Sequence, residues 1–190
     1  RSFPGGCTAW IIDDWNHCLF TAGHCGDSGL QIIEFNVPLS NEYGGINHPP
    51  PEDQYAVDPA SILTNGGMGS GSDWTYFGCF PNTETGLTPF EAQGEYFTLS
   101  QPPAEGETAR VTGYGATESP IPPEWNRAQK THAARLIVWN HTVLAYETDT
   151  TGGNSGSPVI DEVLTSTMFT PQSDLAEATY YYRVRAYNSY

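Results

Sequence analysis

The chain has 190 residues, of which 38% are hydrophobic and only 15% are charged. This length suits one domain or two small ones, and the low charged fraction excludes coiled coils and most helical bundles. Seven basic residues against 22 acidic ones give a formal net charge of −15. Because this charge repels nucleic acids and anionic membranes, we expect a globular protein that binds neither.

Short runs rich in β-branched and aromatic residues recur along the chain between clusters of Gly, Pro, Asn and Asp, a pattern typical of antiparallel β structure. In chain order, the predicted strands are Cys7–Ile12, Cys18–Ala22, Leu30–Val37, Asp73–Phe80, Glu95–Ser100, Ala109–Tyr114, Ala134–Trp139, Val143–Glu147 and Tyr180–Tyr187. A single helical turn is expected near Thr21–Cys25. The Pro-rich segments Asn47–Pro59 and Glu118–Pro123 are predicted to be surface loops, because proline cannot donate to a β-ladder. Turn residues throughout Gly78–Gly94 indicate where a first β unit gives way to a second.

Three segments carry residues suited to nucleophilic catalysis. His24 follows an apolar strand, Asp73 leads into an aromatic strand, and Ser155 lies in a run of small residues. A Ser hydroxyl becomes a good nucleophile when an imidazole takes its proton, and the imidazole needs a carboxylate to fix its tautomer and stabilise its cation. We predict that Ser155 is the nucleophile, His24 the general base and acid, and Asp73 the group that orients His24.

This chemistry also needs hydrogen-bond donors aimed at the oxyanion of the tetrahedral intermediate. Backbone N–H groups can serve where small residues leave the approach open, and the residue two positions before Ser155 is a glycine. We predict an oxyanion hole formed by the N–H groups of Gly153 and Ser155.

The combined motifs resemble those of a known family. The order His, Asp, Ser, with Thr-Ala-Gly-His-Cys at 21–25 and Gly-Asn-Ser-Gly-Ser-Pro at 153–158, is similar to that of the chymotrypsin-like serine endopeptidases, in particular the bacterial branch that contains the glutamyl endopeptidases. The resemblance extends from about Gly6 to Ile160. It implies an all-β fold of two antiparallel six-stranded β-barrels, about 1–85 and 86–163, with the triad in the cleft between them. It also implies a secreted, monomeric endopeptidase that acts on polypeptides and needs no cofactor or metal.

Each motif has a plainer interpretation as well. A His-Cys pair can be buried or disulfide-linked, a Gly-Asn-Ser-Gly-Ser run can be a loop, and Asp73 can be a turn residue at a strand edge. Asp53 and Asp58 lie in the same stretch between the two motifs. Only the combination of motifs in this order favours a triad. Ser28, in a second Gly-Asp-Ser-Gly run, lies just after His24 with no second His placed to serve it, so we interpret that run as a turn.

The cysteines allow three pairings, since the chain has 4 of them. The family resemblance implies a disulfide between Cys7 and Cys25. A second bridge between Cys18 and Cys79 is a hypothesis, because these residues lie on the two strands that must meet for the triad to form. Disulfides imply an oxidising, extracellular setting. Since the chain starts at Arg1, we expect any signal peptide to have been removed already or never to have been part of this sequence.

The alternative for the cysteines is a metal site shared with two neighbouring histidines. Its candidate ligands are His17, Cys18, His24 and Cys25. This set lacks the paired Cys-x-x-Cys spacing of structural zinc sites, so disulfides are the favoured interpretation.

Substrate preference in this family depends on the residues just before the nucleophile, and the resemblance places Asp149, Thr150 and Gly152 in the primary pocket. Asp149 has the offset of the Asp that gives trypsin its preference for Lys and Arg. Thr150 has the offset of a hydroxyl residue in glutamyl endopeptidases. The two interpretations oppose each other, and both stay open. Asn154 stands where the animal enzymes carry the Asp used in zymogen activation, so trypsin-style activation is not expected.

The C-terminal part departs from the family. Family members continue after the nucleophile with a Gly-Ile-His-like strand that forms the pocket wall, and residues 161–170 contain no such motif. The tail 164–190 instead resembles the late strand of a fibronectin type III module, with Leu175 and the alternating run Tyr180–Tyr187. We expect either a truncated fusion or a strand that closes the second barrel.

This departure leaves a second function open, which is a catalytically impaired relic or a binding module on a protease scaffold. A third possibility is a carbohydrate binder that uses exposed aromatics such as Trp125 and Tyr181. It is weaker, because such residues more often pack in the core or against a neighbouring strand.

Overall fold

The computed structural model describes residues 1–26, 29–66, 71–100, 104–140 and 143–161. Almost all regular structure in these residues is β. The strands are β1 Ser2–Pro4, β2 Trp10–Ile11, β3 Leu19–Thr21, β4 Leu30–Glu34, β5 Gln54–Ala56, β6 Leu63–Thr64, β7 Thr75–Phe77, β8 Thr108–Gly113, β9 Lys130–Asn140, β10 Val143–Tyr146 and β11 Val159–Asp161. The short helix α1, Pro89–Gln93, is the α-helix among the described residues, and none of the helices there is long and apolar enough to cross a membrane.

Strands β1 to β7, called here the first half, form two antiparallel sheets. One sheet has the order β1-β4-β5 and the other the order β2-β3-β7-β6. Their inner faces share one apolar core, in which Leu19, Ile33 and Phe77 are almost fully buried. The register pairs Leu19 with Phe77 and Thr21 with Thr75, so the residues that follow β3 lie next to those that precede β7.

Strands β8 to β11, called here the second half, form one antiparallel sheet with the order β10-β9-β8-β11. Alternate residues of β8 point inward and pack with β9 and β10 around Ala109, Val111, Leu136 and Tyr146. The predicted division of the chain at about residue 85 falls in the stretch between β7 and β8.

The predicted all-β, chymotrypsin-like fold class is confirmed, and the turn expected near Thr21–Cys25 is present as a 3-10 turn, Gly23–Cys25. Two local predictions are wrong. The stretch Glu95–Ser100 forms no strand, and within it Phe97 makes only an isolated bridge to Ile12. Strand β5 lies inside the segment predicted to be a loop.

The error at β5 has a clear cause. No proline lies within Gln54–Ala56, since Pro51 precedes the strand and Pro59 follows it, and β5 pairs along β4 with Tyr55 opposite Ile33. Tyr55 is 0% exposed and packs edge-on against Phe35, so core packing decides the structure there. The predicted strand Tyr180–Tyr187 and the rest of the tail 164–190 lie outside the described residues.

Candidate active site

His24 and Asp73 form a bonded pair at the ends of two adjacent strands. The 3-10 turn after β3 carries His24, and Asp73 comes two residues before β7. Both carboxylate oxygens of Asp73 lie 3.0 Å from His24 Nδ1, and the backbone N–H of His24 donates to Asp73 Oδ1 at 2.9 Å. Asp73 is 7% exposed, whereas the His24 side chain is 36% exposed. A carboxylate held this way fixes the Nδ1–H tautomer and leaves Nε2 to accept a proton.

A disulfide anchors the residue that follows His24. Cys7 and Cys25 are bonded, and both are buried in a small cluster with Ala22. This bond closes a segment with a sequence separation of 18, which contains β2, β3 and the His24 turn. It therefore fixes the backbone directly after His24.

The predicted second bridge is not formed, because Cys18 and Cys79 carry free thiols. The strand register explains this. Cys18 continues the face of β3 that meets Tyr76, while Cys79 continues the opposite face and packs on the apolar core around Phe77. Burial raises the pKa of both thiols, so both are protonated near neutral pH.

The alternative metal site is incompatible with these bonds. One ring nitrogen of His24 and the sulfurs of Cys7 and Cys25 do lie within 4.8 Å of one another. Both sulfurs are bonded in the disulfide, however, and the predicted ligand set requires Cys25 as a thiolate.

The predicted nucleophile lies in a turn, residues 151–157, which we call the nucleophile loop. Three hydrogen bonds from the first half hold it: Thr8 N–H to Ser155 O at 2.9 Å, Thr8 Oγ1 to Gly153 O at 3.0 Å, and Trp10 Nε1 to Gly156 O at 2.9 Å. The sequence analysis missed Thr8 and Trp10 as parts of the site, since nothing local to them indicates a contact with a loop so far along the chain.

The predicted oxyanion donors are oriented by a contact with the second half. Ala116 N–H donates to Gly152 O at 2.7 Å, and Thr151 Oγ1 donates to Ala116 O at 2.7 Å. In a trans peptide the carbonyl and the next N–H point in opposite directions, so Gly153 N–H faces away from Ala116. Within the described ranges, neither Gly153 N–H nor Ser155 N–H has a protein acceptor, which leaves both free for a substrate oxygen.

Ser155 is close in the fold to the His24 segment, but the two side chains share no hydrogen bond among the described residues. The neighbouring Gly156 packs so tightly on the first half that a Cβ built on it would lie 2.8 Å from Ala22 N. Hydrogen bonds between catalytic groups are often long without substrate and tighten when it binds. The structure thus pairs His24 with Asp73 and brings the nucleophile loop to their side.

The predicted pocket residues differ in environment. The Asp149 side chain is exposed, and the backbone N–H of Asp149 donates to His132 Nδ1 at 2.9 Å. The hydroxyl of Thr150 is buried and has no partner in the described part of the chain, and the same is true of Thr148. A Cβ built on Gly152 would meet no atom within 4 Å, so the space beside it is open. Ser28, which the sequence analysis interprets as part of a turn, lies outside the described residues.

Two cations lie beside the nucleophile loop. Lys130 Nζ donates to Gly115 O at 2.6 Å and to Trp125 O at 2.7 Å. The Arg127 guanidinium donates to Gly6 O. Burial lowers the pKa of both groups, and the repulsion between neighbouring cations lowers it further.

No protein-family model and no curated protein matches the chain, but solved structures do. A thermostable serine protease, AL20, from an extremophilic microorganism is 18% identical, with a TM-score of 0.58 over 82% of this chain and 71% of that one. Protease Anisep from Arthrobacter nicotinovorans is 18% identical, with a TM-score of 0.51 over 82% and 70%. A Glu endopeptidase is 19% identical, with a TM-score of 0.52 over 86% and 77%. At these identities the similarity shows the fold alone, which is the chymotrypsin-like all-β fold of serine proteases.

Proposed function

We propose that this protein is a serine endopeptidase in which Ser155 is the nucleophile. The observation that carries the proposal is the Asp73 carboxylate placed 3.0 Å from His24 Nδ1, on a fold shared with serine proteases. The N–H groups of Gly153 and Ser155, which have no acceptor among the described residues, add the second requirement of acyl transfer, a site for the oxyanion.

In the acylation step, Ser155 Oγ attacks the carbonyl carbon of the scissile peptide bond while His24 Nε2 takes the hydroxyl proton. Asp73 stabilises the imidazolium cation that forms. The carbonyl oxygen becomes an oxyanion that accepts hydrogen bonds from Gly153 N–H and Ser155 N–H. As the intermediate collapses, the C–N bond breaks and His24 gives its proton to the leaving amine, which leaves an ester on Ser155.

In the deacylation step, water attacks the ester carbonyl and His24 Nε2 takes a proton from it. The second tetrahedral intermediate uses the same two N–H donors. It collapses with the proton returning to Ser155 Oγ, which releases the carboxylic acid product and restores the enzyme.

The setting and the substrate follow from the same features. A buried disulfide beside His24 suits a secreted protein, since such bonds persist in oxidising compartments. The substrate is a polypeptide. Near the cleaved bond, the buried hydroxyl of Thr150 bonds to nothing in the described ranges, and Asp149 has an exposed side chain. We propose Thr150 as the polar group that meets the substrate side chain in the primary pocket.

Labelling with a fluorophosphonate probe tests the proposal without any knowledge of substrate preference. The wild-type chain should be labelled at Ser155, and Ser155→Ala should not be labelled. Ser119→Ala, which removes an exposed hydroxyl from the loop before β9, is the matched control and should be labelled like wild type. A wild-type chain that folds but takes up no label would refute the proposal. It would favour the alternative, a catalytically impaired relic or a binding module on a protease scaffold.

A further inference from the structure

Arg127 is in direct contact with one of the two proposed oxyanion donors. Its Nη1 donates to Gly6 O, and its guanidinium lies against the α-carbon of Gly153. A Cβ built on Gly153 would lie 2.9 Å from Arg127 Cζ and 2.9 Å from Gly6 O, so no side chain fits between them. The guanidinium and the Gly6 carbonyl, bonded to each other, therefore occupy the space where a side chain on Gly153 would lie.

The backbone of Arg127 is itself held in place. Its φ of 55° lies in the left-handed region, which a non-glycine residue adopts only where surrounding contacts impose it. Its N–H donates to Gly115 O at 3.2 Å, and its carbonyl accepts from Arg1 Nη1 at 2.9 Å. The Arg1 side chain is in turn bound to the buried carboxylate of Glu34 at 2.7 Å. The guanidinium thus extends from a backbone that is held in one position.

The charge of Arg127 is not neutralised within the described residues. Arg1 pairs with Glu34 and Arg135 pairs with Glu147, but no carboxylate there forms an ion pair with Arg127. The charged groups that act on it and on its neighbour Lys130 are other cations. Among the described residues, Arg127 is thus a partly buried cation beside Gly153 without a carboxylate partner, in a chain with a net charge of −15.

We propose that Arg127 is a positioning residue for the oxyanion hole, which holds Gly153 against Gly6 and favours negative charge on the substrate oxygen. This inference rests on the proposed endopeptidase function. A cation at this position interacts more strongly with an oxyanion than with a neutral carbonyl, so it stabilises the tetrahedral intermediate more than the bound substrate. Its loss should therefore slow the chemical step and leave binding unchanged.

The test compares Arg127→Gln, Arg127→Lys and the control Arg135→Gln in the full 190-residue chain. Arg135→Gln also removes one positive charge from the second half, but from an exposed side chain on β9. The rate of inactivation by a fluorophosphonate is measured over a range of probe concentrations, which separates the maximal rate from the probe's binding constant. Circular dichroism and urea unfolding check that each variant is folded.

We expect the maximal rate of Arg127→Gln to fall about tenfold with an unchanged binding constant, less than the roughly 10²–10³ loss typical when an oxyanion donor is removed. Arg127→Lys should stay within about threefold of wild type, because it keeps the charge, and Arg135→Gln should match wild type. Wild-type rates in folded Arg127→Gln, or a loss confined to the binding constant, would overturn the Arg127 inference while the endopeptidase function stands. If Arg127→Gln does not fold, the test uses Arg127→Lys. Weaker probe binding with an unchanged maximal rate in that variant would then overturn the Arg127 inference. An unlabelled wild type would overturn both.

Discussion

Thr8 and Gly153 are separated by 145 residues in the chain and joined by a hydrogen bond of 3.0 Å from the Thr8 hydroxyl to the Gly153 carbonyl. The same hydroxyl accepts the Tyr114 N–H at 3.0 Å, and Thr8 N–H donates to Ser155 O at 2.9 Å. One buried residue of the first half thereby fixes the nucleophile loop and the end of β8 together.

Thr8→Val removes this hydroxyl and keeps the shape of the side chain. The Tyr114 N–H and the Gly153 carbonyl then lose a partner at a position only 2% exposed. We expect the free energy of unfolding to fall by about 1–3 kcal/mol and peptidase activity to fall with it. Thr8→Ser keeps the hydroxyl and should lose less stability and less activity than Thr8→Val. Equal urea midpoints for Thr8→Val and wild type would contradict this account.

Gly156→Ala should disrupt the nucleophile loop. Gly156 has a φ of +84°, and an added Cβ would collide with Thr8 O and lie 2.8 Å from Ala22 N. We expect loss of fluorophosphonate labelling by about 10²-fold or more, since a misplaced nucleophile loses its alignment. The control is Gly78→Ala, where an added Cβ would meet its nearest atom at 3.5 Å. Labelling of Gly156→Ala at the control's rate would show that the loop adapts.

Asp73→Asn tests the acid of the proposed triad. The amide keeps the size of the side chain but cannot stabilise an imidazolium, and it favours the wrong tautomer of His24. We expect peptidase turnover to fall about 10⁴-fold, as this substitution does in other triads, while the urea midpoint changes far less than the rate. Turnover within a few-fold of wild type would exclude Asp73 from the catalytic role.

Tyr146→Phe should stabilise the protein and reduce the loss of stability at alkaline pH. The Tyr146 hydroxyl is buried with no partner in the described part of the chain, and burial raises the pKa of this phenol. In the unfolded chain the phenol ionises near pH 10. The unfolded state therefore binds fewer protons than the native state above that pH, and stability falls as the pH rises.

We expect Tyr146→Phe to raise the free energy of unfolding by about 1 kcal/mol at neutral pH and to lose less of it above pH 10 than wild type. Urea titrations at neutral and alkaline pH measure both effects. A variant that is destabilised at neutral pH would mean that the hydroxyl has a partner after all.

His24 and Ser155 could be proposed as site residues from sequence because the motifs around them are local and short, and the structure places Asp73 beside His24 as expected. The contacts that hold the nucleophile loop could not be predicted in this way. Thr8 and Arg127 act across the interface between the two halves, and no pattern of composition or spacing marks them. The Cys18–Cys79 hypothesis failed for a related reason, since adjacent strands bring two residues near each other while the register decides whether they share a face. Strand β5 was missed because burial of Tyr55 outweighed the prolines before it.

The bonds from Thr8 and Trp10 to the nucleophile loop, which span 145 and 146 residues, also bear on how activity arises during folding. Contacts of such high sequence separation have the largest entropic cost of loop closure, and chains rich in them fold slowly. His24 and Asp73 can pair as soon as the first half has formed, whereas the loop with Ser155 reaches its final shape only when both halves have docked. For the proposed peptidase, docking of the two halves is therefore the step that brings the nucleophile loop to the His24–Asp73 pair.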